Sequence, residues 1–444
     1  MRPLLVTAPL YYSDIPDWEQ SRTLVAADAF ARHSRAHGHP AKLVAGLGGK
    51  NKTSDEAEYN SRQARRMLGI WCETAPVPQR ERRARAVFKK LLRNGAVYKA
   101  RFDGYYCPEC GFCFDEKHAA DGKCPAHQIG LGTVNSEVWF FRLSAYTAET
   151  AGHYRRATDF LSPHDAARNA LRLCEHEHQD IPVVLPGHDG ESQRVCFWFE
   201  TLCAYLSARQ KGSPEDIQFA DSKGLFLHAV VWPALLAALE LPLPEHLHIM
   251  PGNRTRLFSP VETAVAYGTD ALRYLLLRGA DEGVSHARTQ HELRRVYNAE
   301  LANDIGSLLG RITLLVDKYL DGELPTKNPG DAYVMVNNAR KTAEEINRHM
   351  SALEFDRALA LPRGTLSALN KALDSKKSQL LDADGDRADL KLLLFELVWC
   401  LRMAAGWLEP FMPDTSAAIH AQLSVRKGIV SHIPPQPPLL FPRK

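Results

Sequence analysis

No apolar run in this chain reaches the roughly 20 residues that a membrane-spanning helix requires, which excludes an integral helical membrane protein. The opening stretch, Met1-Arg2-Pro3-Leu4-Leu5-Val6-Thr7-Ala8-Pro9, has too short an apolar run for a signal peptide. The expectation is a cytoplasmic protein with no membrane partner. A large net charge is also missing, since 55 Lys and Arg against 52 Asp and Glu leave only +3. Composition therefore makes no general case for nucleic-acid binding, although a local basic face stays open. There is no internal repeat at solenoid periods. A disulfide framework is not in evidence either: the cysteines number nine, an odd count, and four fall between Cys107 and Cys124. That clustering points to metal chemistry in a reducing compartment.

What is present is an ordinary folded chain. It has 444 residues, 45% hydrophobic and 24% charged, so two or three domains are expected. Leu4 to Thr7 and Ala41 to Ala45 read as strands around a helix from about Ser21 to His37, in which Leu24, Ala27 and Ala31 share a face beside Phe30. The run Gln79-Arg80-Glu81-Arg82-Arg83-Ala84-Arg85, continued by Lys89, Lys90 and Arg93, reads as a solvated helix face. Alternating α and β signals resume after residue 127, with apolar centres at Val195 to Tyr205 and Leu225 to Leu239. From about Asp270 onward the pattern is helical, through Leu301 to Leu315, Val334 to Met350 and Leu390 to Leu408, which predicts a bundle. The Pro-rich tail Ile433-Pro434-Pro435-Gln436-Pro437-Pro438 reads as a surface strap.

Cys107-Pro108-Glu109-Cys110 and Cys124-Pro125-Ala126-His127 are two ligand pairs, each spaced to sit on one tight turn, as a tetrahedral zinc site requires. Four protein ligands leave no open position for water, so the metal expected here is structural. Cys113 and His118 lie within the loop and compete as ligands. The scattered Cys72, Cys174, Cys196, Cys203 and Cys400 have apolar neighbours and read as core.

Several phrases, taken in order, carry a family resemblance. Thr7-Ala8-Pro9-Leu10-Tyr11-Tyr12, Phe140-Phe141-Arg142-Leu143-Ser144, His228-Ala229-Val230-Val231-Trp232-Pro233-Ala234, Tyr267-Gly268-Thr269-Asp270-Ala271-Leu272-Arg273-Tyr274 and Asn298-Ala299-Glu300-Leu301-Ala302-Asn303-Asp304 resemble successive phrases of methionyl-tRNA synthetases. The likeness runs from about residue 4 to 410. It implies an α/β fold: a Rossmann-like class I synthetase catalytic domain with a zinc-knuckle insert, followed by an α-helical bundle. The expected segments are 1–100 and 166–284 for the two halves of the Rossmann-like domain, 101–165 for the insert, and 285–444 for the anticodon-binding-like bundle with its tail. By the same resemblance Tyr11, Tyr12, Trp198, Glu200, Tyr205, His228 and Trp232 are candidates for an amino-acid pocket. The bland alternative for such aromatics is core.

The phrases that serve ATP in that family are rewritten. Where it has a His-Ile-Gly-His type turn, this chain has Asp17-Trp18-Glu19-Gln20, and two carboxylates near polyphosphate are repulsive. The Lys-Met-Ser-Lys-Ser loop is replaced by a stretch containing Arg254 and Arg256, which either meet an anion or are simply exposed. Gly48 stands where the family has an aspartate for the substrate's ammonium, and Gly46 to Lys50 read as an ordinary turn or an anion-binding nest. Asp17, Glu19 and Glu200 form either an acid–base group or an acidic rim. Ser378-Gln379 and Ser307 replace the anticodon tryptophan and asparagine, with Arg311 kept. These losses argue against ATP and against tRNA as a partner. The leading expectation is therefore a relative that has lost methionine activation and tRNA charging and been recruited to amino-acid or small-molecule chemistry in specialised metabolism. The alternatives are a non-catalytic scaffold or regulator with a protein partner, and a genuine divergent methionine–tRNA ligase.

Overall fold

The computed structural model describes residues 3–12, 16–49, 54–73, 77–107, 112–116, 119–124, 128–176, 179–186, 193–206, 209, 216–252, 259–278, 290–322, 334–380, 387–423, 425–426, 429–430 and 440–444. It divides into two compact units, Met1–Gly252 and Asn253–Lys444. The Pro-rich tail lies outside the described residues.

The first unit starts with β1 (Leu4–Tyr12), α1 (Trp18–Ala36) and β2 (Ala41–Gly49). β1 continues past Thr7, where the apolar run ends, because its parallel pairing with β2 carries on to Tyr12 opposite Gly49. Residues Gly46 to Gly49 are thus strand, not the turn or nest expected from their composition. α1 begins at Trp18 because the Asp17 carboxylate caps it, accepting the Gln20 N–H at 2.9 Å. Small residues let this helix bury itself: Ala26, Ala27, Ala29 and Ala31 have no exposure.

α2 (Ser54–Leu68) and α3 (Val77–Arg93) follow, then the strands β3 (Val97–Tyr106), β4 (Cys113–Phe114) and β5 (Gly132–Phe141). Next come α4 (Thr147–Arg156), β6 (Leu161–Ser162), α5 (His164–Glu175), β7 (Ile181–Pro186), β8 (Gln193–Val195) and α6 (Phe197–Tyr205). β9 (Ile217–Asp221), the π-helical segment Leu227–Val231, α7 (Trp232–Ala238) and β10 (His246–Met250) complete the unit. Two five-stranded sheets result. One is parallel, in the order β2-β1-β9-β10-β6; the other is antiparallel, β4-β3-β5-β7-β8.

The second unit is mainly helical among the described residues. It comprises α8 (Pro260–Tyr267), α9 (Thr269–Leu277), α10 (Gln290–Val296), a π-helical stretch Tyr297–Gly306, α11 (Ser307–Leu320), α12 (Val334–Ser351), α13 (Phe355–Leu380), α14 (Arg387–Leu408) and α15 (Pro413–Gln422). Ser259 caps α8 and Gly268, at φ +92°, separates α8 from α9. Among the described residues no helix is long and apolar enough to cross a membrane.

In the parallel sheet, β1 has its sequence neighbour β2 on one side and the much later β9 on the other. This is a topological switch point, and the crevice beyond the carboxyl ends of β1 and β9 is where such sheets take ligands. Asp216 holds the opposite end in register. Its carboxylate accepts the Leu5 N–H at 2.6 Å, its N–H donates to Leu5 O at 3.0 Å, and its carbonyl accepts the His246 N–H at 3.1 Å. Asp216→Ala strands the buried Leu5 N–H and is expected to cost about 2 kcal/mol in urea unfolding. Asp216→Asn, which keeps an acceptor oxygen, should cost less.

Candidate functional site

Three chain segments of the first unit converge beyond the sheet: the first turns of α1, the residues after β9, and the residues after β10. Lys223 Nζ lies 2.5 Å from Asp17 Oδ2 and 3.3 Å from Glu19 Oε2. Arg22 donates to the Pro251 carbonyl at 3.1 Å. A Cβ at Gly252 would lie 2.8 Å from the Ser222 hydroxyl and 3.6 Å from Glu19 Oε1, so the three segments approach closely here. Trp18 is buried beneath the turn and Gln20 supplies the capped N–H. Arg254 and Arg256 lie outside the described residues.

The repulsion inferred from two bare carboxylates therefore does not describe this turn. Burial alone would lower the Lys223 pKa, but Asp17 and Glu19 outweigh it and raise it, so the ammonium stays charged between them. Neighbouring Asp221, at the end of β9, is 2% exposed and accepts the Gly224 N–H at 2.7 Å. Burial pushes its carboxyl from 3.8 up to about 6, against the Gly224 hydrogen bond and with help from Asp17. Sequence reasoning missed Asp221 and Lys223. Their signal was Asp221-Ser222-Lys223-Gly224 directly after an apolar strand.

Beneath this turn lies the aromatic group. α6 presents Tyr205, whose ring is 5.9 Å from His228 and 5.7 Å from Trp232; all three side chains have no exposure. Gln218 of β9 donates its amide to His228 Nδ1 at 3.2 Å, which leaves the ring proton on Nε2. Burial lowers the His228 pKa to about 3, so the imidazole is neutral throughout the physiological range. Thr7 stands opposite Gln218 in the β1–β9 pairing. The Thr7 hydroxyl, Gln218 Oε1 and Trp232 Nε1 are buried with no hydrogen-bond partner among the described residues. Three such orphans around one cluster call for a guest, ligand or water, with matching polar atoms.

Trp198 is turned to the second sheet, donating from Nε1 to the Pro182 carbonyl at 3.1 Å. Phe112 stacks on it at 6.0 Å and 8°, and lies 6.3 Å from Phe226. Glu200 is half-buried on α6. For Tyr11 and Tyr12 the structure describes only the strand backbone.

Phe112 belongs to the cysteine-rich loop. Cys107 and Cys124 are fully buried. The Cys107 N–H donates to Phe112 O at 3.0 Å, and the Cys124 N–H to Ile129 O at 2.9 Å. Cys110, His118 and His127 lie outside the described residues, and among the described residues no group of three His, Cys, Asp or Glu could hold a metal. Two buried sulfurs nevertheless fit the donor set of a soft-ligand ion. Elsewhere burial pushes Cys72 up to about 11 and Cys174 and Cys400 up to about 12, which leaves these thiols protonated and unreactive.

In the second unit Arg311 is engaged within the bundle: it donates to Asn370 Oδ1 at 3.1 Å and pairs with Asp374.

The Asp221 shift yields a pH prediction. A carboxyl whose folded pKa is raised contributes stability that is complete below about pH 4 and is lost as pH rises through 6, by about 3 kcal/mol. Asp221→Asn keeps the acceptor for Gly224 and removes that loss. In urea unfolding across pH, the variant should match wild type near pH 4 and gain progressively toward pH 7; a difference independent of pH would refute it.

Comparison with known proteins agrees with this geometry. A family model described as tRNA synthetases class I (M) matches residues 131–313. The methionine–tRNA ligase of Caldanaerobacter subterraneus subsp. tengcongensis is 28% identical, the match covering 96% of this chain and 74% of that one. That of Thermosynechococcus vestitus is 26% identical over 94% of this chain and 89% of its own. In fold, the Mycobacterium tuberculosis methionyl-tRNA synthetase solved in complex with methionyl-adenylate superposes with a TM-score of 0.86 at 22% identity over 100% of both chains. Two expectations fall to these relatives. Loss of methionine activation and tRNA charging, with recruitment to specialised metabolism, does not stand when relatives matched over nearly the whole chain are named methionine–tRNA ligases. The case against tRNA as a partner falls with it. The electrostatic objection to ATP counts Asp17 and Glu19 as bare charges, and Lys223 removes that premise. A Rossmann-like parallel sheet, a helical second unit and relatives of one name point the same way: over nearly its whole length the chain is similar to methionine–tRNA ligases, and its middle part matches the class I (M) synthetase model.

Proposed function

We propose that this protein is a divergent methionine–tRNA ligase. The observation that carries the reading is the buried group of Tyr205, His228 and Trp232, apolar and neutral yet edged by the orphaned polar atoms of Thr7, Gln218 and Trp232. A thioether side chain suits such a wall, since sulfur packs favourably against aromatic rings and asks for at most a weak donor. The low His228 pKa keeps an imidazolium charge out of the pocket.

In the first step the methionine carboxylate attacks the α-phosphorus of ATP and pyrophosphate leaves; in the second a tRNA hydroxyl attacks the acyl carbon and AMP leaves. Lys223 holds the cationic position at the head of α1. One of its N–H groups donates to Asp17 Oδ2 at 2.5 Å and Glu19 Oε2 pairs with it by charge at 3.3 Å, so the ammonium keeps donor capacity for a phosphate oxygen. The carboxylates thereby fix the ammonium in place before substrate arrives, which is the form of electrostatic help that needs no rearrangement during the reaction.

A structural zinc is part of the same reading. Cys107, Cys110, Cys124 and His127 would hold it, and its chemistry is to close the loop that carries Phe112. Through the stack of Phe112 on Trp198, that loop supports α6 and the pocket.

Two measurements test this. Methionine-dependent ATP–pyrophosphate exchange should be detectable with the purified chain; Lys223→Ala should lower it by about 100-fold, mainly through kcat/KM for ATP, and His228→Asn should raise KM for methionine about tenfold. No exchange at any ATP concentration would sink the reading. Elemental analysis should find one zinc per chain, and stripping it should raise KM for methionine while leaving KM for ATP little changed. An equal effect on both substrates would contradict the route through Phe112.

A further inference from the structure

α3 sorts its cations into two sets. At 3.6 residues per turn, Ala84, Val87 and Leu91 form its buried face. Alongside them three residues tie the helix to backbone carbonyls: Arg83 donates to Leu206 O at 3.1 Å, Lys90 to Leu239 O at 2.5 Å, and Asn94 to Ala238 O at 2.9 Å. Phe88 packs edge-on against Trp139 at 5.4 Å. The helix is therefore held rigidly on one side.

The other side carries Arg82, Arg85, Lys89 and Arg93. All four are exposed, and among the described residues none is joined to a carboxylate or to any other partner. Helical geometry places them within an arc of about 80°, along a line of about 16 Å. Neighbouring members are about 5–6 Å apart, comparable to the spacing of phosphates along a nucleic-acid strand. The only acidic residue in the helix sequence is Glu81.

We propose that this face of α3 is a docking surface for the sugar–phosphate backbone of tRNA. The inference rests on the ligase reading for its choice of partner, and on charge complementarity for its site. A solvated face of mixed charge would be neutral on balance; four cations in a row on an anchored helix, none joined to a carboxylate among the described residues, create a local field in a chain whose net charge is only +3. An anionic lipid surface is the poorer match, because the stripe is flanked only by Ala86 and Leu92 and lacks the bulky apolar face that membrane-surface helices bury. Contacts of this kind position a nucleic acid without reading its bases.

The test is binding of a methionine-accepting tRNA transcript to the zinc-loaded chain across about 50 to 200 mM salt. The double substitution Arg85→Glu with Lys89→Glu should weaken binding by about tenfold or more and reduce the slope of log K against log salt by about two. The neutral pair Arg85→Gln with Lys89→Gln should fall between. Both variants should keep methionine-dependent pyrophosphate exchange, which needs no tRNA, so exchange also serves as the folding control. Unchanged tRNA affinity and salt slope with intact exchange would overturn the proposal. So would a loss seen only with anionic phospholipid vesicles, or wild-type protein that exchanges pyrophosphate but does not bind tRNA. Absence of exchange together with stripe-dependent tRNA binding would instead remove the ligase reading and leave the surface standing.

Discussion

A parallel sheet has a polarity, and here that polarity decides where chemistry can occur. Because β2 and β9 flank β1 in the same direction, every loop that leaves these strands leaves at one edge. The start of α1, the Asp221-to-Gly224 turn and the Pro251–Gly252 turn are brought together by that fact alone. Asp216 secures it from the far edge by binding Leu5 and the start of β10 at once. Loss of register would scatter three segments that are distant in sequence.

At that edge the electrostatics are redistributed. A helix start ordinarily favours an incoming anion. In this chain the helix start is occupied by its own Asp17 and Glu19, and the positive charge beside them is supplied from across the crevice by Lys223. Lys223 links the trio, hydrogen-bonded to Asp17 and paired by charge with Glu19. Asp221 just behind is the cost of the arrangement, a buried carboxyl held well above its ordinary range.

Much of the fold was readable in advance because periodicity and composition are local. The strand-helix-strand opening and the helical second unit both announce themselves within short windows. Boundaries were less legible: β1 extends to Tyr12 and β2 to Gly49 because each strand supplies the other's hydrogen bonds, which no single segment reveals. The rewritten turn was misjudged for a similar reason. Charge at Asp17 and Glu19 was visible, whereas its compensation by a lysine more than two hundred positions later required the sheet. Gln218 and Thr7 were invisible as site residues, since a buried polar side chain in a strand declares itself only through the partner it has or lacks. The basic run on α3 was legible as exposed, and only the anchoring of Arg83, Lys90 and Asn94 separated its structural cations from those with no partner among the described residues.

The central claim is that a lysine-clamped acidic turn and a neutral aromatic pocket sustain the family's reaction. Its most direct measurement is the transfer of radiolabelled methionine to the 3′ end of tRNA by the purified, zinc-loaded chain. The account predicts ester-linked methionine on tRNA, formed only in the presence of ATP and abolished when Lys223 is replaced by alanine. Unlabelled tRNA under conditions where a related ligase charges it fully would contradict the account.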